Sequence, residues 1–306
     1  MTGRRLLLPL AAALLALPWG VGGYVTYLLT LTFIYALVAI GMNLLTGLAG
    51  QISLGHAAFF AIGAYATGLL TQRGLLPFPL ALLAAALLST GIGALAALPA
   101  LRLRNLYLAI ATLGFGTVVQ KALFEWRGLT GGGAGLELAP PHIAGLVLNN
   151  GRALYYVALA VLALGLWCAG NVARMRTGRA MLMLRDSEIA AGTLGIGIAR
   201  FRVAAFALST FYAAIAGGLY AYLVRYINPE SFGLGLSISF LGMVVVGGLG
   251  SRAGPVLGAV FFVLLPEAFR GIKDAPGLVF GLALVLAMIF LPRGLAGIAP
   301  RSWRLT

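Results

Sequence analysis

The side chains of this sequence able to do chemistry are few and grouped. Asn43, Thr46, Gln51, Ser53 and His56 stand close together in "GMNLLTGLAGQISLGHAAFF". Thr112 and Thr117, with Gly114 and Gly116, interrupt the apolar run "YLAIATLGFGTVV". Asp186 and Glu188, two of only 7 acidic residues, lie among arginines in "MLMLRDSEIAAGTLGIGIARFR". Amides, hydroxyls and an imidazole trade hydrogen bonds, either with a polar solute or with one another. In apolar surroundings they are tolerated only against other protein or a wet cavity. Two readings of the first cluster therefore stay open: a turn with interhelical hydrogen bonds, or the border of a translocation route. The threonines have the same two options, since a hydroxyl can also satisfy a carbonyl of its own helix.

Bond-breaking chemistry has no support. His56 and His142 are far apart, with no Cys or paired acid beside either, so no metal-ligand set forms. There is no GxxxxGK[ST] loop to cradle a phosphate, and no Ser/His/acid arrangement. The lone Cys168 falls inside an apolar run and reads as packing. The chain is expected to be no enzyme and to hold no cofactor of its own.

The elements that position these groups follow from composition. The chain is 61% hydrophobic and 9% charged, with a mean hydropathy of +1.01. A soluble domain carries about 25% charged residues, so a solvated surface cannot be built here. Continuous apolar blocks, not alternating ones, select helices over a barrel. The expected fold is all-α, a polytopic transmembrane bundle. Ten spans can be marked, at about 6–20, 25–46, 52–72, 78–98, 106–126, 153–172, 201–224, 237–250, 255–270 and 278–292. The span at 237–250 is short, suggesting tilt or partial unwinding. The first, "RRLLLPLAAALLALPWG", has the charged start of a cleaved leader but no clean small-x-small site after it, which favours a retained helix.

Placing both ends inside puts 14 of the 21 basic residues on the inner side, the orientation that positive residues prefer. The net charge of +14 then reflects cytoplasmic loops, not nucleic-acid binding. Asp186 and Glu188 become the only inner acids. The 43 glycines, with small-xxx-small spacing at Gly250/Gly254/Gly258 and Gly277/Gly281, suit close helix packing.

The charged stretch reads as a short helix outside the bilayer. Asp186 is placed to cap it, and Glu188 to sit in its first turn, where the helix dipole favours negative charge. Gly192 weakens it, and Gly195 with Gly197 ends it after about two turns, roughly 12 Å. Ala190, Ala191 and Leu194 then share one face, a low apolar ridge suited to a groove on a soluble partner. Flanking arginines hold the segment at the surface.

These stretches resemble the membrane subunits of branched-chain amino-acid ABC importers, the Liv-type permeases. "GQISLGHAAFFAIGAY", "YLAIATLGFG", "RDSEIAAGTLGI", "VVVGGLGSRAGPVLGA" and "FLPRGLAGI" are similar to that family's stretches, in its order, over about residues 35–298. The LivM-like member of the permease pair is the nearer match. The resemblance implies one permease domain over 1–306, multi-pass in a bacterial cytoplasmic (inner) membrane, with a coupling loop at about 173–200. It also implies partners: a second related permease, two cytoplasmic ATPases that hold ATP and Mg, and an extracytoplasmic solute-binding protein. The coupling segment matches as Glu188-Ile189-Ala190-Ala191 with Gly195 following, and Asp186 and Leu194 belong to the same contact. Asn43, Gln51, Ser53, His56, Thr112 and Thr117 are the expected border of the route. Related permeases serve urea or short amides, so the solute stays open between these and branched-chain amino acids. An ion-coupled secondary transporter would need ionisable groups at mid-membrane, and none of the 7 acids falls mid-span.

Overall fold

A computed structural model describes residues 12–98, 105–143, 146–147, 151–270, 281–282, 285–286, 289–290 and 294–298. The helical segment at residues 12–20 (α1) leads into the apolar helix α2 (Gly23–Met42), which runs on as a π-helical turn at Asn43–Leu48. Together they make a segment of 26 residues whose most apolar 18-residue stretch has a mean hydropathy of 2.1. A helix hydrophobic on all sides has no solvent face and belongs at the centre of a bundle. That is where α2 lies, with Ile34, Leu37, Val38, Met42, Leu45 and Leu48 all buried. Its polar exceptions satisfy themselves: Thr30 donates to the Thr26 carbonyl at 2.7 Å and Thr32 to Leu28 at 2.8 Å.

Around α2 stand α3 (His56–Gln72), α4 (Phe78–Ala96), α5 (Asn105–Glu125), the short α6 (Arg127–Thr130) and α7 (Gly151–Arg174). Then follow α8 (Arg176–Asp186), α9 (Glu188–Thr193), α10 (Ile198–Val224), α11 (Leu234–Gly247) and α12 (Gly254–Ala268). The long α10 packs on α2, α3 and α4 at once. It approaches α3 so closely that a Cβ on Gly63 would overlap the Ala214 backbone, and one on Gly217 the Phe60 carbonyl. Small residues of this kind bring helices together where lipid offers no hydrophobic drive.

Among the described residues five helices are long and apolar enough to cross a membrane, and α11 and α12 are shorter apolar helices. The outward face of α4 carries Leu80, Leu83, Leu87 and Leu95, each at least half exposed. An apolar stripe of this kind is an expected lipid contact. The architecture is an all-α membrane bundle. Its only strands are two-residue pairs among the described residues: β1 (Leu136–Glu137) with β4 (Tyr226–Ile227), and β2 (His142–Ile143) with β3 (Leu146–Val147).

Several boundaries differ from the sequence reading. Residues 49–55 are not helical, so the span expected at 52–72 begins at His56. The left-handed φ of +68° at Gly50 turns the chain out of the π-helix. The span expected at 237–250 begins at Leu234 and stops at Gly247, before the turn made by Gly248 (φ +117°) and Gly250 (φ +72°). Of the glycine pattern there, Gly254 and Gly258 do seat α12 against Gly247 and Met243 of α11, while Gly250 lies in the turn. Most of the first span's start, residue 277 and most of 278–292 lie outside the described residues.

Candidate functional site

The N-terminus of α3 gathers most of the polar residues marked in the sequence. This helix has no side-chain cap of its own, and its donors are met by neighbours. Ser237 of α11 accepts from the Ala57 N–H at 3.0 Å, and Thr112 of α5 accepts from the Leu54 N–H at 3.0 Å. Thr112 also donates to the Ala109 carbonyl at 2.9 Å. His56 is fully buried, with Nδ1 3.0 Å from Ser53 Oγ and Nε2 2.5 Å from Ser209 Oγ. The rings of Phe59 and Phe206 meet it edgewise. Gln51, buried beside this group, donates to the Arg202 carbonyl at 3.4 Å, and its Oε1 has no partner among the described residues.

Asn43 does different work. Its Oδ1 accepts from the Gly250 N–H at 2.8 Å and its Nδ2 donates to the Ser251 carbonyl at 2.9 Å. The side chain thereby ties the π-turn to the α11–α12 turn. Thr46 closes the other end, donating to the Gln51 carbonyl at 2.9 Å. A π-turn leaves carbonyls that a regular helix would occupy; Arg185 of α8 donates to one of them, at Gly47.

Of the six expected route residues, Asn43, Gln51, Ser53, His56 and Thr112 are thus buried, engaged mainly with other protein groups. Thr117 alone is exposed, on the side of α5 that lines a cavity of about 50 Å³ with Gln120, Ser237, Leu54, Gly116 and Phe232. A larger cavity, about 250 Å³, lies between α2, α7 and the end of α10, lined by Tyr27, Thr30, Leu154 and Arg225, and none of the expected residues reaches it. Sequence reasoning missed Ser209, Ser237 and Gln120. The signal was present, since each is a polar residue inside an apolar helix.

If the buried polar set is a structural network, its loss has a definite cost. Ser209→Ala should destabilise the purified chain by about 1 kcal/mol, and His56→Ala by roughly 3 kcal/mol through a cavity and stranded hydroxyls. Denaturant unfolding in detergent measures both. Unchanged stability in both variants would mean that water already serves these groups.

The charged stretch folds with three corrections. Ser187, not Asp186, caps α9: its hydroxyl accepts from the Ala190 N–H at 3.3 Å. Asp186 instead ends α8, because the extended backbone at Ser187 (φ −158°, ψ 111°) separates the two helices. Next, the ridge is not the one expected, because Ala191 is fully buried against the bundle while Ile189 is 83% and Leu194 67% exposed. Ala190 is exposed between them. Lastly, α9 has 6 residues, about 9 Å; Gly195 (φ +75°) turns the chain away, and Gly197 belongs to the start of α10. Glu188 is in the first turn as expected and pairs with Arg202 of α10 at 2.8 Å. A short helix with a buried alanine, a cap and an ion pair is braced against the bundle and bears two exposed apolar side chains.

Residues 24–291 match the family described as branched-chain amino acid transport system, permease component. The chain belongs to that family. The permease is 37% identical to the high-affinity branched-chain amino acid transport system permease protein LivM of Salmonella typhimurium over 290 residues, 87% of this chain and 68% of that protein. LivM of Escherichia coli is 36% identical over the same shares of both chains. BraD of Pseudomonas aeruginosa, of the same kind, is 28% identical over 88% of the permease and 93% of its own length. Within this permease the described acids sit at helix ends or in connections: Glu125, Glu137, Asp186, Glu188, Glu230 and Glu267.

Proposed function

We propose that this chain is the permease subunit of an ATP-driven importer carrying branched-chain amino acids across a bacterial cytoplasmic membrane. The observation that carries the reading is α9: a braced helix that leaves Ile189 and Leu194 exposed, in a member of a transport permease family. A soluble partner gains by covering such side chains, and a rigid helix passes the partner's movement to α8 and α10. The partner is an ATPase, one of two that hold ATP and Mg. A second related permease and an extracytoplasmic solute-binding protein complete the complex. Asp186, Glu188, Ile189, Ala190, Ala191, Leu194 and Gly195 form or brace the contact, within a coupling loop at about 173–200 of a single domain spanning 1–306.

The route runs along the exposed side of α5, past Thr117, Gln120 and Ser237. Asn43, Gln51, Ser53, His56 and Thr112 form the layer behind it. The solute follows the relatives' names. Proteoliposomes holding the assembled complex, with ATP supplied to the ATPase side, should take up radiolabelled leucine, and excess urea or acetamide should not compete. Uptake of urea without leucine would overturn the solute; leucine uptake independent of ATP would overturn the class.

Ten crossings with both ends inside are proposed from the two-to-one distribution of basic residues. With Cys168 replaced, a cysteine at Glu137 should react with an impermeant thiol reagent from outside intact spheroplasts. One at Gly192 should react only after lysis. Both positions are exposed, so access follows from sidedness. Labelling of position 192 from outside would refute the orientation.

A further inference from the structure

The contacts around α9 lead by two paths to one short stretch of chain, the non-helical link at residues 49–55 between the π-turn and α3. The first path runs through α8. Arg185, near the end of that helix, donates from its guanidinium to the Gly47 carbonyl. This oxygen belongs to the last turn of the α2–π run, where a helix leaves its carbonyls unpaired and carries the negative end of its dipole. The stem of the same side chain lies on the link: a Cβ on Gly50 would stand 3.1 Å from Arg185 Cγ and 3.4 Å from its Cα. The second path runs through α10. Glu188 of α9 pairs with Arg202 at 2.8 Å, and the Arg202 carbonyl accepts from Gln51 Nε2 at 3.4 Å.

The far end of the link is fastened to the helices of the proposed route. The Leu54 N–H donates to Thr112 of α5 at 3.0 Å, and the Ala57 N–H, in the first turn of α3, to Ser237 of α11 at 3.0 Å. Gly55 faces the Thr112 carbonyl so closely that a Cβ would overlap it, and a Cβ on Gly116 would lie 3.2 Å from Gly55 Cα. Leu54 itself lines the small cavity beside Thr117, Gln120 and Ser237. Displacements travel along packed side chains and hydrogen bonds. A non-helical stretch takes them up by changing φ and ψ at a few residues, as hinges do. The link therefore stands between α9 and the walls of that cavity, held at both ends.

We propose that Arg185 is a positioning residue for coupling: it passes displacement of α8 and α9 to the link at 49–55, which shifts α5 and α11 around the route. The Glu188–Arg202–Gln51 connection is the second arm of the same linkage. This role rests on the reading of α9 as the ATPase joint, and the link is where the joint's movement goes next. A side chain that merely capped the π-turn would matter for stability but not for coupling.

The assembled complex is reconstituted in proteoliposomes with Arg185→Met, which keeps an unbranched apolar stem and removes the donor. Arg185 is exposed overall, and Asn43 holds the π-turn independently of it, so this variant should fold and still bind the ATPases. Leucine-stimulated hydrolysis per assembled complex should fall about tenfold or more, the worth of one hydrogen bond from a charged donor. Arg185→Lys, which retains charge and donor, should restore a large part of it. A second readout is local. With Cys168 replaced, a cysteine at Thr117 should change its rate of reaction with a thiol reagent when the ATPases are trapped with ATP and vanadate, and Arg185→Met should erase that change. Lower thermal stability with normal stimulation and a normal change at position 117 would overturn the proposal and leave Arg185 as a cap. Loss of ATPase association in Arg185→Met would also overturn it, by placing the residue in the docking contact itself. If Ala190→Trp uncouples the complex while Arg185→Met does not, α9 remains the joint and this linkage is refuted. If Ala190→Trp leaves coupling normal, the ATPase reading of α9 falls, and the role of Arg185 falls with it.

Discussion

Replacing Ala190 with tryptophan is expected to abolish substrate-stimulated ATP hydrolysis in the assembled complex while the permease still folds and reaches the membrane. The expectation follows from where the added volume goes. Ala190 is exposed on α9 between Ile189 and Leu194, so an indole meets no part of its own bundle. It stands on the face proposed to enter the ATPase groove, where the loss of a well-packed contact costs about 2 kcal/mol or more, on the order of 30-fold in association. Ala191→Trp is the contrasting control, because Ala191 is fully buried; it should lower folded yield before coupling can be measured. Glu188→Ala should act more mildly. It removes a half-exposed ion pair with Arg202 and a favourable charge at the helix start, together about 1 kcal/mol. Stimulated ATPase activity and transport in proteoliposomes, measured beside thermal stability, separate these outcomes. A normally coupled Ala190→Trp complex would mean that α9 is not the joint.

Gly217→Val is expected to yield no folded permease. A Cβ at this position would overlap the Phe60 carbonyl oxygen and lie 2.8 Å from its carbon and 3.1 Å from the Ala64 nitrogen. All three are backbone atoms of α3, so no rotamer change relieves the clash. The helices must separate, and Gly63, which meets Ala214 of α10 in the same way, would lose its contact too. Overpacking a core with one or two methyl groups costs about 1–3 kcal/mol where side chains can yield; against backbone the cost is at the upper end or beyond, and Gly217→Ala alone should be clearly destabilising. Gly91→Ala is the matched control on α4, where an added Cβ meets nothing within 4 Å; it should be neutral or stabilising by up to about 1 kcal/mol through helix propensity. Monodisperse yield and unfolding in detergent read both. Equal stability of Gly217→Val and Gly91→Ala would show that α3 and α10 do not approach as described.

Much of the permease is visible before any coordinates are. Hydrophobic blocks of the length of α4, α7 and α10 leave a chain with 9% charged residues no other class of fold. The ordered stretches from "GQISLGHAAFF" to "FLPRGLAGI" suffice to indicate the family that the comparison over residues 24–291 bears out. The polar residues beside His56 are also conspicuous as a set, because amides and hydroxyls stand out against leucine. Their partners are not. Ser209 lies 153 positions from His56, and Ser237 lies 180 from the N–H that it accepts from; nothing local encodes either pairing.

The sequence by itself determined what depends on composition and nearest neighbours: a helical membrane bundle, the approximate spans, and a short helix with an acid in its first turn where the charged stretch interrupts them. Only the tertiary structure decided which faces of those helices meet. It turned Ala191 inward and Ile189 outward, gave the cap to Ser187, and tied down, through Asn43 and Arg185, a π-turn that no periodicity announced. The physical reason is that a membrane helix satisfies its own backbone wherever it is placed, so its sequence selects the helix. Which neighbour it packs against is settled by close approaches such as Gly217 on Phe60, and by polar groups that must find partners far along the chain.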